Sequence, residues 1–482
     1  MKLSYKRIKL MNIANRLFKT SVIYFIGQVF TKLISFILLP LYTNYVKVSD
    51  YGYYDLSISL LSVVVPVVFM EIWTATLRFS LERENDQGKR IVVNNSLIIA
   101  SFFFLIYFAL YSLTSIALNF SQSIWIFLYS ITWVLQLIYL SVTRTYGKNT
   151  LYASSGVISV AVNTFISIIA VFMLNGSISA LYIGMIASFI FQVIIIEIKL
   201  PVLRNFKLDD FDKTLCIELI KFSLPLSFNS VINWLLEGCN KLIIVKMLGS
   251  VANGIYAIGN RLSTILNLLV SVFLLSWQES IFRLTDRNEK KIIYNLGINN
   301  FLKAIGGCLV ILLPLISVVF PYLIRQDYRV VYGLIPLLLL SIFANALCSV
   351  ISPLFAAEKQ TKYSFYSKII MSMTNLIVIL SSINFIGLYA SPIALITANV
   401  IGIIVQLKMA NKFIEITLKI NNIFFFIIMF IIATCFYYYR NNLLNIIWFF
   451  FSLIIYYRYM KDFIHGILNL VLNQFSKRKE IK

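Results

Sequence analysis

The chain has 482 residues, of which 60% are hydrophobic and 13% charged, with a formal net charge of +22. So little charge cannot clothe a soluble globule of this length, which excludes a soluble enzyme or a water-borne binding module. Apolar runs of about 17–25 residues follow one another, each long enough to cross the hydrocarbon core as a helix, and they are continuous rather than alternating, which excludes a closed β-barrel.

Residues 1–19 form a basic lead-in with no small-residue cleavage site after the next apolar run, and read as a cytoplasmic amphipathic segment rather than a removable signal. Fourteen spanning helices are then predicted, at 20–44, 52–76, 93–118, 121–143, 152–174, 177–198, 222–248, 252–277, 298–320, 329–352, 363–387, 389–410, 420–438 and 442–458. Loop charge tests that count. With the N-terminus inside, the inner segments hold 33 of the 42 Lys and Arg and the outer loops hold five. A wrong helix count would scramble the alternation from the error onward, and it stays clean to a cytoplasmic C-terminus. The net charge is thus a topological signal facing anionic headgroups, and no nucleic-acid partner is expected. Pro66 and Pro336 fall inside spans and predict local bends. The five cysteines follow no metal-ligand spacing, and no metal or cofactor is expected. The tail after 458 places Phe463, Ile467, Val471 and Phe475 on one face of an interfacial helix that also carries the lone His465.

A phrase recurs in the chain. SDYGYYDLSISLL (49–61) returns 202 residues later as VANGIYAIGNRLS (251–263), with Gly52 matching Gly254 and Tyr54 matching Tyr256. Each copy reads as an outer-surface turn in which glycine permits a tight reversal. The offset covers six helices, an even number, so the copies cross the membrane in the same direction and the repeat is parallel. The expected layout is an all-α membrane protein with an N-lobe at 20–198, a cytoplasmic linker at 199–221 and a C-lobe at 222–410. Two further helices at 411–458 and a basic tail at 459–482 complete it.

FTKLISFILLPLYTNYVKVSDYGYYDL (30–56), SLPLSFNSVINWLLEGCNKLIIVKMLGSVANGIYAIGNRL (223–262) and SWQESIFR (276–283) resemble signatures of the O-antigen-type polysaccharide flippases. These belong to the multidrug/oligosaccharidyl-lipid/polysaccharide exporter superfamily, and the likeness runs over essentially the whole chain. It implies that fold, flipping of undecaprenyl-pyrophosphate-linked oligosaccharides across the bacterial inner membrane by alternating access, a coupling proton or sodium ion, and other polysaccharide assembly proteins as partners. The chain departs from the pattern in its seventh helix. Many relatives place Asp before a basic residue there, and this chain has Asn240-Lys241 with Glu237 one turn earlier.

Charge inside a bilayer is costly and demands a partner or a water-filled cavity. Lys32 lies near the middle of span 1, and Arg261 lies about nine residues into span 8. Glu237 and Lys241 sit four apart, acid first, the favourable order for a pair along one helix. Lys32, Lys241, Arg261, Glu237 and Asn240 are therefore the expected cavity residues, the cations attracting the carrier's pyrophosphate. Glu71, Glu279 and Arg78, near inner helix ends, are candidates for gating or headgroup capture, with interfacial solvation of the two acids and a topogenic role for Arg78 as the alternative readings. Two rival functions remain. A peptidoglycan-precursor flippase moves the same carrier, whereas a drug/cation antiporter needs acidic cavity sites. A membrane glycan polymerase needs acid/base groups gathered in outer loops, which are short here and lack histidine, and no GxxxxGK[ST] motif for nucleotide appears.

Overall fold

The computed structural model describes residues 38–117, 121–282 and 286–479, the side chains at 272, 275, 276, 279 and 462–479 excepted. Lys32, the lead-in, most of span 1 and the side chains of Glu279 and His465 lie outside the described residues. Within them every regular element is helical, as expected where no water is present to satisfy backbone groups outside a helix. Eleven stretches are long and apolar enough to cross a membrane. One of them, Thr361–Ala410, is two antiparallel helices, α14 (Thr361–Ile386) and α15 (Ala390–Ala410), joined at Gly387 with φ +57°. Counting that hairpin as two and adding the interrupted span 8, the described residues hold thirteen of the expected spans, and span 1 lies mostly outside them.

The chain divides into two compact units, Met1–Gly254 and Ile255–Lys482. The first begins with α1 (38–45), α2 (Val48–Val68), α3 (Ile72–Leu81), α4 (Asp86–Ala117) and α5 (Ser123–Thr145). It continues through α6 (Asn149–Met173), α7 (Ile178–Lys199), α8 (Lys213–Asn233) and α9 (Cys239–Leu248) into the start of α10 (Ser250–Ser263). α8 packs on α2, α3 and α4, and span 7 falls with this unit, which runs to Gly254. Span 2 is broken. Pro66 sits in the last turn of α2, and Met70 and Glu71 follow with φ +50° and +47° before α3 resumes. Left-handed backbone at two residues with side chains costs about 1–3 kcal/mol each and persists only where the surroundings impose it. Pro336, by contrast, lies within an unbroken helix.

The second unit holds the rest of α10, α11 (Ile265–Phe282), α12 (Arg287–Leu323), α13 (Val330–Ala357), α14, α15, α16 (Ile420–Tyr439) and α17 (Asn442–Lys479). Span 14 and the expected tail helix form one continuous helix here. The two extra helices belong to this unit's core: α12 packs on both α16 and α17, and the Lys303 ammonium lies 4.3 Å over the Tyr459 ring. Tyr332 and Tyr437 stack at 4.1 Å and each donates its hydroxyl to the other's carbonyl, at 2.5 and 2.8 Å.

The parallel repeat is visible in side-chain chemistry. In the first unit the Gln192 amide donates to Ser155 Oγ between α7 and α6 at 3.2 Å; in the second, Gln406 donates to Ser367 between α15 and α14 at the same distance. The segments leaving these hairpins are strapped onto the unit's own long helix in the same way. Asn95 of α4 donates to Asp210 O and accepts from Asp212 N, both at 2.8 Å. Asn295 and Asn299 of α12 do likewise for Glu415 O with Thr417 N, and for Thr417 O with Lys419 N. A carboxamide pairs with an extended segment in this manner because it offers a donor and an acceptor at peptide-like spacing.

Candidate functional site at the junction of α2, α9 and α10

The two copies of the repeated phrase meet each other. Gly52 and Gly254 are not turn residues: both lie inside helices, one in α2 and one in α10, where the helices touch. A Cβ on Gly52 would fall 1.9 Å from Ser250 O, and one on Gly254 would fall 2.1 Å from Val48 O. Glycine is required for backbone-to-backbone approach, as at small-residue crossings in membranes, and this replaces the expectation of a tight reversal. Close approach brings polar groups into register. The Asn253 amide, fully buried, donates to Gly52 O at 2.7 Å and to Asp55 at 3.5 Å.

Asp55 is the partner of Lys241. The ammonium reaches across from α9 to the carboxylate on α2 at 2.9 Å, with both side chains about one-fifth exposed (22% and 21%). Asp55 lies seven residues past the start of α2, and Lys241 seven before the end of α9. Each is therefore ~10 Å below its helix's outer end at 1.5 Å per residue, so the two meet at one depth. This ion pair joins two helices, α9 and α2. No local spacing joins Asp55 to Lys241, because the partner is 186 residues away. An acid two turns into an apolar span was itself the signal.

Span 7 is not a uniform α-helix. Trp234–Gly238 forms a π turn between α8 and α9, a rare form that occurs frequently at functional sites. Gly238 fits because a Cβ there would lie 2.2 Å from the Trp234 ring, and its carbonyl accepts from Ser59 Oγ of α2 at 3.2 Å. Glu237 sits in this π turn and is exposed, whereas Asn240 is fully buried in α9. Arg261 is half-buried on α10, two turns beyond Asn253. The structure thus gathers Lys241 and Asn240 with Asp55, Asn253 and Ser59 in one polar junction. Glu71 stands apart: half-buried at the break of span 2, it accepts a hydrogen bond from Ser230 of α8. Arg78 is exposed and pairs with Glu82 along α3 at 2.9 Å. Among the described residues no cluster of His, Cys, Asp and Glu has the makings of a metal site.

Eleven long apolar stretches, with a broken span 2 and a π-wound span 7 beside an intramembrane ion pair, define a multi-pass membrane protein. Solved structures share the fold. An inward-closed structure of the lipid II flippase MurJ superposes with a TM-score of 0.66 at 17% identity, covering 92% of this chain and all of that one. Outward-facing and inward-facing structures of a multidrug resistance MATE transporter of the MOP superfamily superpose at 0.58 and 0.57. Each is 13% identical, covering 82% and 79% of this chain and 95% and 98% of theirs. Residues 17–277, more than half of the chain, match the polysaccharide biosynthesis protein family, and the chain belongs to it. No curated protein matches.

Proposed function

We propose that the chain is a flippase moving undecaprenyl-pyrophosphate-linked oligosaccharide units across the bacterial inner membrane by alternating access. The observation that carries this reading is the polar junction of α2, α9 and α10, built inside apolar spans of a chain of this family. Ionisable groups within spanning helices mark substrate pathways. Lys241, Arg261 and Lys32 serve the pyrophosphate, with Asn240 and Glu237 beside them, while Arg78, Glu71 and Glu279 serve capture and gating. A pyrophosphate carries more negative charge than Asp55, so it competes for Lys241. Taking that ammonium weakens the tie between α2 and α9, and substrate binding thereby favours a conformation in which the tie is open. Asp55 narrows the positive lean of the spans but leaves Arg261 suited to a phosphate, which its planar fork binds bidentately. Deleting the gene in its native host tests the reading. Lipid-linked repeat units should accumulate on the cytoplasmic face; accumulation of peptidoglycan precursor instead would reassign the substrate, and raised drug sensitivity without either would overturn the reading.

A further inference from the structure

The first unit contains a cavity of about 510 Å³ remote from the junction, between the first turns of α4, the C-terminal end of α5 and the strap at 200–205. The distribution of Lys and Arg puts this end on the cytoplasmic face. Asp86, Arg90 and Asn94 follow one another at intervals of four, so they share one face of α4, and all three line the cavity. Arg90 donates through Nε to Asp210 of the strap at 3.1 Å, which fixes the plane of its guanidinium. Among the described residues its two Nη groups make no further hydrogen bond. Asn94 is 1% exposed and donates to the same carboxylate at 2.6 Å, but its carbonyl oxygen is buried with no hydrogen-bond partner among the described residues. Asn94 thus holds the Asp210 carboxylate in place beneath Arg90, leaving the guanidinium face toward the cavity. Asp86 is largely exposed and, among the described residues, forms an ion pair only with Lys89, at 3.4 Å. Leu200, Pro201, Val202 and Val142 make the remaining wall apolar.

We propose that this cavity binds the headgroup of an ethanolamine phospholipid from the cytoplasmic leaflet. Its phosphodiester is met by the Arg90 Nη groups and its ammonium by Asp86, one turn away on the same face of α4, while the glycerol and first methylenes lie on the apolar wall. The volume falls within the range of small-molecule sites. A phosphomonoester is disfavoured because a second negative charge would face Asp86 and Asp210. A phosphatidylglycerol head has hydroxyl donors but no cation for Asp86. The site is independent of the transported substrate, since none of the junction residues lines it.

The test is intact-complex mass spectrometry on the full chain, offered equimolar phosphatidylethanolamine and phosphatidylglycerol. The wild type should carry ethanolamine lipid in excess, and Arg90→Gln should lower its binding about tenfold, the scale of a lost charge-assisted contact. Because Arg90 also holds the strap, Asp86→Asn is the second variant. It should erase the preference between the two lipids while leaving thermal stability unchanged. Water-soluble glycerophosphoethanolamine should bind at least about tenfold more weakly than the lipid, for want of the apolar wall. Equal uptake of both lipids by the wild type, a preference surviving both variants, or equal binding of the soluble head would each overturn the proposal.

Discussion

The opening turns of α2 and α10 share a glycine and differ in charge, and the difference divides the labour between them. Gly52 and Gly254 each clear the way for the other helix's backbone, so neither can vary without the other losing its seat. Four positions before Ser59, α2 carries Asp55, where the matching position of α10 has Ala257. Arg261 of α10 stands where α2 has Ser59. The acid of the first copy engages Lys241, and Ser59 takes up the carbonyl of the π turn. The first copy therefore fastens span 7, whereas the second copy brings a cation to the spans.

The most damaging way to break this arrangement is steric. Gly52→Leu or Gly254→Leu should cost more than about 4 kcal/mol, because the obstacle is backbone and cannot move aside. Size-exclusion profiles of detergent-solubilised protein should lose the monodisperse peak. Gly156→Ala, whose new Cβ would meet only the end of Gln192 at 3.9 Å, should leave the profile intact.

Next in size is the ion pair. Lys241→Gln alone should destabilise by about 3 kcal/mol, since it leaves Asp55 beside a buried amide with no counter-charge. Adding Asp55→Asn should restore most of the loss, and thermal melts of the four proteins form a double-mutant cycle. Additive losses would show that the two charges do not act as a pair. Ser59→Ala should cost about 1 kcal/mol, one hydrogen bond to the π turn.

Much of this was open to a sequence reader, and the physical reasons separate what was from what was not. Span count and orientation were legible because hydrophobic length and loop charge are local properties. The repeat was legible too, but its meaning was not: a glycine permitting a turn and a glycine permitting close approach look alike in one dimension. The π turn at 234–238 left no trace, because it depends on how Trp234 folds over Gly238. Asp55 and Lys241 were both visible as letters, and only the packing of α2 on α9 joins them. The straps were hidden for the same reason, since Asn95 and Asn299 are unremarkable until an extended segment lies beside them.

Those straps give the comparison its smallest test. Asn95→Ala and Asn299→Ala should each cost about 1–2 kcal/mol, similarly in the two units, if the repeat preserves the device. Their acids add a pH dependence. The Asp212 carboxyl is held below the usual range by the Thr214 hydroxyl and the amides of Leu215 and Thr214, and that of Glu415 by Lys291. A lowered folded-state value means the contribution is present above the ordinary carboxylate range and is lost as pH falls through the folded value. Limited proteolysis with pepsin should therefore cut at 199–212 and 411–419 increasingly as pH falls below about 4, while the spans stay protected.

The central claim is that the chain carries a pyrophosphate-linked glycan across a bilayer with Arg261 as a phosphate ligand. It is tested most directly by reconstituting the protein in liposomes with a fluorescent undecaprenyl-pyrophosphate oligosaccharide and following the loss of outer-leaflet signal to a membrane-impermeant quencher. Wild type should speed exchange between leaflets well above empty liposomes. Arg261→Gln should slow it by at least about tenfold, the scale of a charge-assisted hydrogen bond. No acceleration by the wild type, or equal rates for wild type and Arg261→Gln, would contradict the account.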